Sequence, residues 1–423
     1  MKVVGSIPTI PRAASVLKST MHLDIKSILS NPTEFDKSMK NRGENIISDQ
    51  IVHPYRIWQS SNLELEQISA KLNALSKSFD KDNIKQCTEL GERKKLLEVK
   101  VKELRSQLDY ELDRLPNLLD TEVPVGKNSD DNVVLEYRND KPNISMPRHH
   151  EDIAVDLGMW AREEAIAMSG SRFICLRGDL AKLERTLIRF ALDINTKAGY
   201  KEVSVPFLVK RHSMYNTGQL PKFEEDYFAF SDYALISTGE IPLVNLYTGK
   251  TLQHSELPIK LTTHTPCFRS EAGSLGKDTK GLIRLHQFHK IELVTITDQE
   301  NSSAMHLEML EHVKKILDML KLHYRVVEVC SGDIGFTAAR QFDIEAWMPG
   351  QNKYVEVASC SNCRDFQARR MKTKYSLAGN LHYVHTLNST SIACGRIIAA
   401  ILENYCFMGE FVLPDILYGY WDN

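Results

Sequence analysis

The sequence predicts an α+β protein: an antiparallel β-sheet flanked by helices, preceded by a long antiparallel α-helical coiled-coil arm. Three observations predict it. Apolar residues recur at helical spacing over two long stretches of the first third. Strand-like and helical runs then follow one another without repeated strand-helix-strand units, which favours an antiparallel sheet. A stretch rich in Asp, Asn, Pro and Gly separates the two regions.

The elements follow in order. Residues 1–20 contain Lys2, Arg12 and Lys18, five Ser or Thr and no acid. That composition fits a weak organelle-targeting leader or an over-long start, and regular folding signals begin at Met21. Ile51, Tyr55, Trp58, Leu65, Ile68, Leu72, Leu75 and Phe79 recur mostly at steps of three and four, a helix stripe. Leu97, Val101, Leu104 and Leu108 form a second stripe that ends before Pro116. At 1.5 Å per residue each helix spans roughly 45 Å, longer than a compact domain needs, so the pair over 51–116 projects as an arm. An N-terminal domain over 21–120 then gives way to a linker over 121–150 that includes Val123-Pro124-Val125-Gly126. In the remaining domain, 151–423, helices are predicted over 180–192 and 305–322. Strands are predicted over 202–209, 261–268, 324–329 and 354–358. Pro206 falls inside the first of these and implies an edge, a bulge or an interface.

Composition excludes several classes. With 42% hydrophobic and 26% charged residues the chain is neither disordered nor of low complexity, and no apolar run approaches the length of a membrane span. A net charge of -2 offers no global field for a polyanion, so any nucleic-acid contact must use a local basic surface. Residues 81–105 hold eight Lys or Arg against five acids, including Arg93, Lys94 and Lys95. Charge alone fits a solvated coiled-coil face as well as an RNA-binding one. The eight cysteines are scattered as reduced thiols would be, and Cys360 and Cys363, lacking a second pair, read as packing rather than as a zinc site.

The densest chemistry lies at Arg269-Ser270-Glu271, Arg284 and the run from Gln287 to Leu293. Arginine forks match phosphate oxygens and stabilise charge developing at phosphorus. A cross-strand salt bridge explains Arg269 and Glu271 equally well by spacing alone. With these blocks assembled, the sequence resembles the class II aminoacyl-tRNA synthetases, and specifically seryl-tRNA synthetases of bacterial or organellar type. Residues 199–209 resemble motif 1, 268–292 motif 2 and 388–404 motif 3. Thr217-Gly218-Gln219-Leu220-Pro221 and Phe366-Gln367-Ala368-Arg369-Arg370 add family-specific agreement.

The resemblance implies a class II catalytic domain, ATP-dependent activation of L-serine to seryl-adenylate, and transfer to tRNA(Ser), with tRNA(Sec) as a further acceptor. It implies ATP contacts at Arg269, Ser270, Glu271, Phe288, Glu356, Val357, Ala358, Ser359 and Arg396. Arg269, Glu271 and Arg396 would serve catalysis, and Glu356 and Ser359 would hold Mg²⁺. Serine contacts are implied at Thr238, Gly239, Glu240, Arg269, Glu292 and Thr390. Serine offers little apolar surface, so its selection rests on hydrogen bonds to its ammonium and hydroxyl. The arm, with Arg93, Lys94 and Lys95, would bind tRNA by shape and phosphates. A homodimer in the cytoplasm is implied, with the mitochondrial matrix as the alternative and no membrane partner.

The sequence departs from the family at Ser389 and Ser391, where relatives commonly carry glycines, and side chains there would crowd the pocket. Gly239 replaces the usual Ser or Ala, His289 a common acid and Ala358 a frequent Ser. The competing reading is a synthetase-like accessory protein without aminoacylation activity. Retention of Arg269, Glu271, Glu292, Glu356 and Arg396 opposes it.

Overall fold

The computed structural model describes residues 23, 25–76, 81–272, 280–406 and 409–422. The leader 1–20 and Phe79 of the first stripe lie outside the described residues. Helices α1, Ser48–Leu75, and α2, Lys81–Asp113, pair along their length. Their 28 and 33 residues correspond to about 42 and 50 Å.

The stripes bury unevenly. Near the base Ile51, Val52, Tyr55, Leu108 and Leu112 are buried; further out Ile68 and Leu97 of the stripes are buried and Leu65, Leu72, Val101 and Leu104 half-buried, whereas Leu63, Leu96 and Val99, off the stripes, are more than half exposed. Two helices alone cover only a narrow seam, so burial beyond it needs a third layer. The base has one: Phe35 and Met39 from the short helix Pro32–Asn41 join those residues and Leu115 in a core that reaches Phe366 of the next domain. The Arg105 guanidinium lies 5.2 Å from the centre of the Trp58 ring. Tyr215 donates its hydroxyl proton to Asp113 at 2.6 Å.

The expected linker is bound to the following domain along its length. Just ahead of it Asn117 donates to the carbonyls of Thr337 and Cys363 at 2.9 Å each, and within it the Gly126 N–H donates to the Ser331 hydroxyl at 3.2 Å and the Asn132 amide to Asp333 at 2.9 Å. Strand β1, Val133–Arg138, becomes an edge of the main sheet.

That sheet has eight strands. After β1 come β2, Lys201–Glu202; β3, Ile259–Phe268; β4, Gln287–Thr297; β5, Tyr324–Glu328; β6, Arg340–Met348; β7, Lys353–Asn362; and β8, His385–Ala393. Their spatial order is β1-β5-β6-β7-β8-β4-β3-β2, antiparallel throughout except for β2 beside β3. Helices α3, Gly178–Lys197, α5, Ser302–Met319, and α6, Cys394–Tyr405, pack on it, with the short α4, Glu240–Asn245, elsewhere in the domain. Leu187, Phe190, Leu317 and Ile398 from the three long helices meet Ile291, Leu293, Phe342 and Leu387 from the strands. Because side chains alternate across a strand, the neighbours Lys290, Glu292, Asn388 and Thr390 point to the other face. The site is built there.

One predicted strand is different in the structure. Residues 202–209 do not run as one strand: Lys201–Glu202 pairs with β3, and Leu208–Lys210 pairs in a separate three-stranded sheet. Pro206 lies between them and has no N–H to give a ladder.

Candidate active site

Two adjoining cavities open on the polar face of the sheet, of about 540 and 250 Å³, and Arg269, Glu271, Arg284, Lys290 and Ser359 line both. The larger holds Thr238, Glu240, Glu292 and Asn388. The smaller holds Phe288, Glu356, Val357, Thr390 and Arg396. Residues more than a hundred positions apart meet because β3, β4, β7 and β8 lie side by side.

The larger cavity is lined with buried acids under tight control. Thr238 donates its hydroxyl proton to Glu292 at 2.8 Å and accepts from the Lys290 ammonium at 2.8 Å. Lys290 also pairs with Glu292 at 2.5 Å. Glu240 accepts from Gln367 at 2.6 Å and from Asn388 at 2.9 Å on the same oxygen. Burial, reinforced by the nearby Glu292 charge, pushes the Glu240 carboxyl up to about 7. Small polar groups with fixed directions and two carboxylates can hold a small cationic, hydroxylated ligand.

The smaller cavity has the opposite bias. Arg396 donates to the Glu356 carbonyl at 2.7 Å and pairs with its carboxylate at 3.3 Å, while its Nε donates to the Ile283 carbonyl at 3.3 Å. Burial pushes the Glu356 carboxyl up, but Arg396 and Arg269 outweigh it and hold it below the usual carboxylate range. Arg269 sits 5.2 Å from the centre of the Phe288 ring and donates to the Ser237 carbonyl at 3.4 Å. Glu271, in the left-handed region at φ 53°, accepts from Arg284 at 2.6 Å. Three guanidinium groups around an aromatic face suit a nucleotide with its phosphates.

Not every expected residue reaches the cavities with its side chain. Ala358 belongs to the apolar core beneath the sheet, and Val357 belongs to that core while also lining the smaller cavity. Ser270 is turned away, its N–H donating to the Asp226 carbonyl at 3.0 Å and its hydroxyl to the Glu225 carbonyl. Gly239 contributes by being small, since a Cβ there would lie 2.8 Å from the Thr263 methyl and 3.1 Å from the Glu292 Cβ. Thr390 is the cross-strand neighbour of Glu292 yet lines the smaller cavity. Ser389 and Ser391 do not crowd the pocket. Ser389 donates to the Ser359 carbonyl at 2.8 Å and Ser391 to Asn195 of α3 at 3.1 Å.

The sequence reading assigned no role to Lys290, Gln367 or Asn388. For Lys290 a signal existed: a Lys-x-Glu spacing within an apolar strand puts both charges on one face. Cys360 and Cys363 are free thiols, and burial pushes Cys360 up to about 12, as packing cysteines behave. Among the described residues His149, His150 and Glu403 bring three ligating atoms together. Both ring nitrogens of His150 are engaged, one with Glu403 at 2.6 Å and the other accepting the Leu282 N–H at 3.0 Å. Its ring fills the space beside Gly281, where a Cβ would fall 1.9 Å away. This contact fixes the chain entering Ile283 and Arg284.

The chain matches known proteins over most of its length. The family model described as seryl-tRNA synthetase N-terminal domain matches residues 22–119, and that described as tRNA synthetase class II core domain (G, H, P, S and T) matches 222–405. The serine-tRNA ligase of Orientia tsutsugamushi (strain Ikeda) is 43% identical over 414 residues, covering 94% of this chain and 96% of the relative. The chain belongs to the seryl-tRNA synthetases. The serine-tRNA ligase of Mesoplasma florum is 42% identical, over 95% of this chain and 99% of the relative. Among solved structures, the seryl-tRNA synthetase of Pyrococcus horikoshii complexed with ATP superposes with a TM-score of 0.89 at 34% identity, covering 94% of this chain and 98% of that one. The activity is therefore serine-tRNA ligation, on the α+β class II fold with an N-terminal helical arm.

Proposed function

We propose that the larger cavity binds serine and the smaller binds ATP, so that the carboxylate of one meets the α-phosphate of the other beside Arg269. The observation that carries this is the shared wall: Arg269 lines both cavities, between buried acids on one side and Arg396 with Phe288 on the other. Thr238, Glu240 and Glu292 would take the ammonium and hydroxyl of serine, leaving buried polar groups unpaired when alanine enters. Phe288 stacks the adenine, Glu271 holds its edge, and Arg269 and Arg396 neutralise the charge that grows on the phosphates. The Pyrococcus horikoshii relative is described as complexed with ATP, which supports ATP as a ligand of this chain.

Mg²⁺ fits the same reading. Glu356 is kept ionised by its arginines and Ser359 lines both cavities, an oxygen donor set that suits a hard cation. Bound there, the ion would shield phosphate charge. The arm would carry tRNA(Ser), and tRNA(Sec) with it, with Lys95 exposed, Lys94 3.8 Å from Glu98, and Arg93 hydrogen-bonded to Glu64 across the helix pair at a largely exposed position. The division into 21–120, 121–150 and 151–423 belongs to this reading, with 121–150 acting as a fastening rather than a spacer. A twofold dimer would cover the exposed Ile166, Met168, Phe207 and Leu208, and sedimentation tests it. Among the described residues no helix is long and apolar enough to cross a membrane. The relatives named with it above 40% identity are bacterial, in keeping with a cytoplasmic reaction; import of a reporter fused to 1–20 would move it to the mitochondrial matrix.

The deciding experiment is serine-dependent exchange of pyrophosphate into ATP without tRNA, with threonine, alanine, glycine and cysteine alongside. Serine-selective exchange supports the reading. A folded protein that binds ATP and exchanges with no amino acid overturns it and favours the accessory reading.

A further inference from the structure

We propose that Lys290 is a further catalytic residue: its ammonium takes the carboxylate of the incoming serine and sets it against the α-phosphate. The inference rests on the adenylating reading above. Lys290 lines both cavities, with its side chain 9% exposed. Two of its contacts are known, Thr238 at 2.8 Å and Glu292 at 2.5 Å. An ammonium has three protons to give, so one remains for the space where the cavities join.

The ligand is a zwitterion, and the site already contains its complement. Lys290 and Glu292 form a buried pair of opposite charges, and burying either alone is costly. Serine entering between them would put its ammonium on Glu292 and its carboxylate on Lys290, leaving every charge paired. Among the described residues no other cation lining the cavities fits the carboxylate as well. Arg269 is stacked on Phe288 and tied to the Ser237 carbonyl, facing the phosphate side, and Arg284 is held by Glu271. The Lys290 charge is also felt at both Glu240 and Glu356, at the two ends of the combined site.

The step itself balances without a proton transfer. Lys290 holds one carboxylate oxygen, and the other attacks the α-phosphorus to form the acyl-phosphate bond. The bond to the bridging oxygen of the departing pyrophosphate breaks, and pyrophosphate leaves with that electron pair. Lys290 keeps the attacking group oriented and keeps it from the two acids of the pocket.

The test compares serine with serinamide, which keeps the ammonium and hydroxyl and replaces the carboxylate by a neutral amide. In pyrophosphate exchange on the full-length protein, KM for serine and the inhibition constant of serinamide are measured. The wild type should prefer serine by about 10- to 100-fold, the worth of a hydrogen bond to a charged group. In Lys290→Met the preference should fall to near unity and kcat should drop. Lys290→Arg should keep part of the preference. A lysine that only props Glu292 would weaken both ligands equally, so an unchanged ratio in Lys290→Met overturns the proposal. If Lys290→Met does not fold, Lys290→Gln carries the same comparison with a polar replacement. Absence of serine-dependent exchange in the wild type would count against the adenylating reading instead.

Discussion

Along the arm, Leu63, Leu96 and Val99 stand more than half exposed, while Ile291, Leu293 and Leu387 in the sheet are wholly buried. The two regions use the same apolar residue types, and only the number of layers differs. A helix pair offers one seam, so each outer turn adds little, and the arm is anchored by its base on Phe366. The sheet is covered by three long helices on one face and can carry buried charge on the other. Binding along a surface suits the first arrangement, and chemistry in a dry site suits the second.

If that division holds, damage to one region should spare the other. Arg269→Ala removes the guanidinium shared by both cavities. Exchange should fall by about 10³-fold with the circular dichroism spectrum unchanged. Retained exchange would detach the phosphate role from Arg269.

Shortening the arm sharpens the contrast. Replacing residues 60–103 by a short turn keeps Ile51, Tyr55, Leu108 and Leu112, whose removal would uncover Phe366. Serine-dependent exchange should stay within about 2-fold, while tRNA charging should fall by about 100-fold, or about 2.7 kcal/mol. Charging by the intact protein should also weaken steeply with salt, and exchange should not. Efficient charging by the shortened protein would refute the arm's role.

A third prediction concerns the charge that the sheet face tolerates. Glu240 titrates at about 7 in the folded chain against an ordinary 4.5. Between these values the folded protein holds a proton that the unfolded chain has lost, so stability falls as pH rises through that window and levels off above about 7. Asp343 and Glu184 are also pushed up, mainly by burial, and act in the same direction. Thermal unfolding from pH 5 to 8 should therefore show a shallower fall in Glu240→Gln than in the wild type. Parallel curves would contradict the assignment.

The smallest effect is expected at Ser389. Its hydroxyl bonds beneath the sheet, so Ser389→Gly should lower stability by about 1 to 2 kcal/mol and leave KM for serine unchanged. A lower KM would mean that this side chain narrows the pocket after all.

Much of this was legible in the sequence because the signals are local. Helical spacing marked both arm helices, apolar runs marked β3, β5 and β7, and the ordered blocks around Arg269, Glu356 and Arg396 carried the family resemblance. How closely the linker is fastened to the following domain was not legible, because polar turn residues look alike whether or not the chain is fastened down. Asn117 and β1 show the fastening only through partners some 190 to 250 residues away. Asn388 was passed over because a single amide in a strand has no meaning until its cross-strand neighbours are known; for Lys290 the spacing to Glu292 placed both charges on one face, but that the face lines a cavity depends on β3, β7 and β8.

By itself the sequence determined element type, the arm, the family and most of the charged residues of the site, because period, composition and motif order are properties of adjacent residues. Only the tertiary structure decided which way Ser389 and Ser391 face, that Ala358 turns into the core, and that Lys290 joins two cavities. These depend on strand order and register, and register is set by contacts between residues far apart in the chain.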